Sequence, residues 1–114
     1  MKAILIDSTK HSVTEVEISG DLQSIYKIMG VDMIEVATYL SDEDCIYCDE
    51  EGMMKSLGHF FEVKGAHQPF AGNGLVVGTS DDGDTASTKM SVEDVRPFVS
   101  FTNIYELKAR YANA

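Results

Sequence analysis

The sequence predicts an α+β fold, a mostly antiparallel sheet with two or three helices packed on it, from three observations. The run Gly72-Asn73-Gly74-Leu75-Val76-Val77-Gly78 is β-branched and fenced by glycines, so it reads as a buried strand whose neighbours approach its backbone closely. Asp82-Gly83 after it is a hairpin signal. Elsewhere, short alternating segments are interspersed with brief stretches at helical spacing. A chain of 114 residues with 44% apolar content can bury one core, so residues 1–114 are expected to form a single domain.

Each element has its own justification. Lys2 to Ile6 is continuously apolar after the lysine, as a strand covered on both faces would be. Val13 to Ile18 alternates around exposed Glu17 and is expected to pair with it in a hairpin. Asp21 then caps a helix whose Leu22, Ile25, Ile28 and Met29 share a face, and Gly30 stops it. From Met33 to Leu40 period two returns, with Ile34, Val36 and Thr38 expected on one face and Met33, Glu35, Ala37 and Tyr39 on the other. Cys45 to Cys48 forms a short strand between the acidic turns Ser41–Asp44 and Asp49–Gly52. Met53, Met54 and Leu57 fit one helical turn folded back on the core; Phe60 to Val63 reads as a strand or irregular core segment, and Gly65 to Gly74 as a loop. The central strand Leu75 to Thr79 should return through Thr85 to Lys89. Ser91, with Asp94 as the acid of a capping box, starts a short helix ended by Pro97, and a last helix is expected from about Thr102 to Tyr111.

Charge is distributed unevenly. The net charge is −10, and residues 1–54 hold 12 acids against Lys2, Lys10 and Lys27, leaving the second half near neutrality. A field of that sign repels nucleic-acid phosphates and attracts basic surfaces, so direct nucleic-acid binding is not expected. No apolar run reaches the ~18 residues of a membrane span, and the two cysteines are too few for a secreted disulfide scaffold. A soluble, cytoplasmic protein is expected.

The order of Ile4-Leu5-Ile6-Asp7, Val13 to Ile18, an amphipathic helix, Ile34-Glu35-Val36, the Asp49-Glu50-Glu51-Gly52 turn and the Gly72 to Gly78 strand resembles a family known as domain of unknown function 3846. The resemblance spans roughly residues 3–88. It implies a setting in bacteriophages and mobile elements, hence an accessory protein inside a bacterial host, and brings no catalytic residues with it.

Candidate chemistry is sparse. Cys45, Cys48, His59 and His67 give C-x2-C-x10-H-x7-H, but both spacings miss those of a zinc finger. Residues three apart on a strand also project from opposite faces, so no metal site is expected there. Around Asp81-Asp82-Gly83-Asp84 an EF-hand register would put Gly78 and Lys89 where carboxylates are required. The glycines at 72, 74 and 78 precede a strand and lack the Lys-Ser/Thr of a phosphate loop. With no nucleophile elbow or comparable signature, no catalytic residue is assigned, no cofactor is expected, and the chain is read as a non-enzyme, with an enzyme of unknown class as the second alternative.

Two functional readings follow. In the first, Asp42, Glu43, Asp44, Asp49, Glu50 and Glu51 form one solvent-exposed carboxylate belt that presses on a basic site of a host protein and inhibits it. The competing explanation for the acids is solubility alone. In the second, the 65–74 loop with Tyr47, Phe60, Phe61, Phe70 and Asn73 holds a small molecule or nucleotide by stacking. The two differ in salt dependence, which is steep only for the first.

Overall fold

The computed structural model describes residues 1–55 and 58–112. Its strands are β1 (Lys2–Asp7), β2 (Ser12–Glu17), β3 (Ile34–Tyr39), β4 (Asp44–Asp49), β5 (His59–Val63), β6 (Phe70–Ala71), β7 (Gly74–Thr79), β8 (Thr85–Ala86) and β9 (Val99–Asn103). The helices are α1 (Leu22–Met29), α2 (Val92–Val95) and α3 (Ile104–Ala112), with single 3-10 turns at Gly52–Met54 and Arg96–Phe98. All strand pairs are antiparallel: a large sheet in the order β2-β1-β7-β4-β3, with β8 added to β7, and a small sheet in the order β6-β5-β9.

The glycine-fenced strand β7 lies at the centre of the large sheet, between β1 and β4. Its side chains alternate between two cores: Val76 joins Ile4, Ile6, Ile46 and Phe61 on one face, while Leu75 and Val77 join Ile25 and Met29 of α1 on the other. Close approach explains its glycines. A Cβ on Gly74 would lie 2.6 Å from Cζ of Phe61, and one on Gly78 would lie 2.2 Å from the backbone oxygen of Ser87.

The layers therefore run α1, large sheet, small sheet, α3. Helix α1 is held in register by Asp21, whose carboxylate accepts from Ser24 N at 2.7 Å, and ends where Gly30 N–H donates to the carbonyl of Tyr26. Phe61 and Val63 of β5, with Val95 of α2, cover the other face of the large sheet. Phe60 points the opposite way and packs with Leu107 and Ile104 of α3. Ser91 and Asp94 make the expected reciprocal capping box at α2.

Several expectations need correction. Residues 99–103 form strand β9, so α3 begins at Ile104, and the 65–74 loop contains the two-residue strand β6. Only Thr85 and Ala86 pair with β7; the chain then leaves the ladder because Thr88 is drawn inward to Asp44 and its N–H donates to the carbonyl of Lys2. A bulge between Val36 and Thr38 breaks the alternation of β3. Val36 now stands opposite Tyr47 and Tyr39 opposite Cys45, which places Val36 and Tyr39 on the same face, that of α1. The turn after β4 packs through buried Gly52 against Ala71, leaving Met53 and Met54 exposed; Leu57 lies outside the described residues. Among the described residues no helix is long and apolar enough to cross a membrane.

Candidate functional site: an acidic sheet edge and a polar cleft

The six acids do not form one exposed belt. Asp44 and Asp49 are buried, at 4% and 6% exposure. An ionised carboxylate can be buried only where donors replace its water, and both have them. Asp44 accepts from Thr88 Oγ1 at 2.6 Å, Lys89 N at 3.1 Å and Ser41 Oγ at 3.0 Å. Asp49 accepts from Lys55 Nζ at 2.8 Å and Glu51 N at 2.9 Å. They stand at opposite ends of the six-residue strand β4, about 17 Å apart at strand rise, which exceeds the Debye length of ~8–10 Å. What remains exposed is two separate groups: Asp42 and Glu43 at one end, Glu50 with half-exposed Glu51 at the other. Glu43 is further tempered by its ion pair with Lys89.

Between these groups runs β3, the outermost strand of the large sheet. Its Val36 and Tyr39 are 43% and 67% exposed, and Met33 just before it is exposed as well. Asp32 and Glu35 add two exposed carboxylates along the same edge. The result is an open strand carrying apolar side chains, with acids at both ends and between them.

The aromatic set proposed from sequence is dispersed. Phe61 and Phe70 pack on each other in the core with ring centroids 5.4 Å apart, and Phe60 lies on the far face of the small sheet against α3. Tyr47 is half-buried on the α1 face, with its hydroxyl 2.8 Å from Thr85 Oγ1. These rings are spread over three environments by strand alternation, so they make no common stacking surface. Asn73 alone of the set lines an open polar cleft.

That cleft, of about 280 Å³, is bounded by the β1–β2 turn, the C-terminal end of α1, the end of β4 and the start of β5. Asn73 Oδ1 accepts from Ser8 N at 3.0 Å, which ties the turn to the entrance of β7. Lys55, held charged above its ordinary range by the hydrogen bond to Asp49, lines it together with exposed His59. Ser8 is fully buried at the cleft wall, and its hydroxyl has no hydrogen-bond partner among the described residues. No motif pointed to this site, because its residues come from six separate segments.

The cysteines lie on opposite sides of the large sheet, as strand geometry demanded: Cys45 in the α1 core, Cys48 in the core shared with the small sheet. Burial pushes both thiols up, Cys48 to about 12, with Glu35 and Asp49 adding to it. His59 and His67 line different clefts.

A sequence model of the family described as a domain of unknown function (DUF3846) matches residues 1–100. The chain belongs to that family. No curated protein and no solved structure matches it. The match runs from β1 into β9, so the acidic edge and the polar cleft both fall within the family domain, while α3 falls beyond it.

Proposed function

We propose that this DUF3846 protein is a non-catalytic binding module that docks a basic surface of another protein along the β3 edge and blocks it by occupancy. Its setting would be that of a phage-type accessory factor in the cytoplasm of a bacterial host, acting on a host protein. The observation that supports this is the open edge itself: exposed Val36 and Tyr39 on a strand that pairs with β4 on one side only, framed by Asp32, Glu35, Asp42, Glu43, Glu50 and Glu51. An open strand offers backbone donors and acceptors to any extended segment, and carboxylates along it repel a second copy of this chain while favouring Lys and Arg on a partner. The apolar side chains supply the contact, and the acids select its charge.

Asp44 and Asp49 are excluded from the docking surface, because their oxygens are already committed within the fold. The test is affinity capture from bacterial lysate with three proteins: wild type, the quadruple variant Asp42→Asn, Glu43→Gln, Glu50→Gln, Glu51→Gln, and the double variant Val36→Ser, Tyr39→Ser. A partner held by wild type at ~50 mM salt should be released near ~500 mM, where the Debye length falls to a few ångströms, and should be lost from both variants. Retention of that partner at full strength by the quadruple variant would leave the acids a role in solubility alone.

A further inference from the structure

We propose that the apolar groove between α3 and the small sheet is a binding site for a small amphiphile, a molecule with an apolar tail of about ten carbons and one anionic head. The groove follows from helical spacing. Ile104, Leu107, Lys108 and Tyr111 recur at intervals of three and four and share one face of α3. Leu107 and Ile104 pack with buried Phe60, which forms the floor. Beside that contact lies a depression of about 590 Å³, roughly twice the volume of the polar cleft. Met53 and Tyr111 flank it, 68% and 59% exposed, and neither belongs to a core cluster among the described residues. An occupant therefore gains the burial of apolar surface that the fold leaves in water.

Volume and charge fix the kind of occupant. Small-molecule pockets span ~300–1,000 Å³ and are apolar with a few polar groups; here the polar side chains are Gln68 and Lys108, with no acid on the lining. Lys108 has no ion-pair or hydrogen-bond partner among the described residues. The surrounding acids are engaged elsewhere. Glu62 pairs with Arg110, and Glu106, on nearly the opposite side of α3 from Lys108, accepts from Thr102 Oγ1 at 2.9 Å. Glu51, two residues before Met53, acts on Lys55 at the polar cleft. Helical side chains lean toward the N-terminus of their helix, which carries the Lys108 ammonium away from the partial negative charge past Ala112. More distant acids are screened beyond ~8 Å at physiological salt. An anionic head thus meets Lys108, while the tail lies against Phe60, Leu107 and Met53. A second copy of the chain would bring a further charge of −10 and is opposed by self-repulsion.

The experiment titrates the full chain with sodium decanoate below its micelle concentration, and separately with decyltrimethylammonium bromide, following methionine methyl and tyrosine ring signals by NMR. Decanoate up to ~5 mM should shift the Met53 methyl and Tyr111 ring saturably and leave the Met29 methyl in place. It should bind about fivefold tighter than the cationic amphiphile. Lys108→Gln should keep the apolar contact and lose that preference. Ala112→Trp, at an exposed position, fills the groove and should abolish binding at the wild-type melting temperature; Met53→Glu, also exposed, sets an acid on the wall and should weaken decanoate about tenfold. No saturable shift up to ~5 mM decanoate, equal affinity of wild type for the two amphiphiles, or full-strength binding by both groove variants would overturn the proposal. So would a shift of the Met53 methyl on raising protein concentration alone, which would give the groove to a second copy.

Discussion

A buried carboxylate is stable only while its donors stay in place, and Asp44 has three of them, contributed by Ser41, Thr88 and Lys89. Removing the carboxylate orphans a buried threonine hydroxyl and a backbone N–H, so Asp44→Ala should cost about 2–4 kcal/mol in urea denaturation. Asp42→Ala, two residues away and exposed, should stay within ~0.5 kcal/mol. Equal effects at the two positions would contradict the burial assigned to Asp44. The thiols make a second prediction at this scale. With Cys48 raised to about 12 and Cys45 raised by burial, neither forms an appreciable thiolate in the folded protein near pH 8. Both should react with a thiol reagent only as fast as the protein unfolds, and rapid labelling of either one in the native state would show the sheet to be open there.

At the scale of elements, β7 carries the fold because it feeds two cores at once. Val76→Asp places a charge among Ile4, Ile46 and Phe61, and Val77→Asp places one against Ile25 and Met29 of α1. Both side chains are fully buried and neither core offers a cation there, so each variant should abolish the cooperative melting transition. A near-native transition in either would remove that face of β7 from the core. The glycines separate by what they touch. Gly74→Ala meets the Phe61 ring, which can shift, and should cost about 1–3 kcal/mol; Gly78→Ala meets the carbonyl of Ser87, which is backbone, and should cost more. The reverse order would mean that the crossing after β8 is looser than described.

For the molecule as a whole, the net charge of −10, nearly all of it carried by residues 1–54, opposes the compact state by self-repulsion. The melting temperature should therefore rise between ~20 and ~200 mM sodium chloride as repulsion is screened. The quadruple variant that neutralises Asp42, Glu43, Glu50 and Glu51 should melt at or above the wild-type temperature, with a smaller salt response. A melting temperature that falls with salt would show the surface ion pairs Glu43–Lys89 and Glu62–Arg110 outweighing the repulsion.

Elements set by neighbours in sequence were legible before the structure. The central strand β7, the Asp21 and Ser91 caps and the division of Cys45 from Cys48 across a strand all follow from periodicity and short-range hydrogen bonds. So did the α+β class. Sequence reasoning placed all six acids of the two turns in solvent and was wrong for Asp44 and Asp49, because two of the three donors that bury Asp44 lie 44 and 45 residues away in the chain. It was silent on the second sheet, since Phe60 and Phe61 read as apolar whichever core receives them. The bulge that turns Val36 and Tyr39 to one face depends on pairing with β4, and alternation within β3 alone predicts the opposite. The cleft is the extreme case: Ser8, Asp49, Lys55, His59 and Asn73 share no spacing, and only the antiparallel pairing of β1 and β4 with β7 and the packing of the small sheet beside them bring their hydrogen-bonding groups to one place.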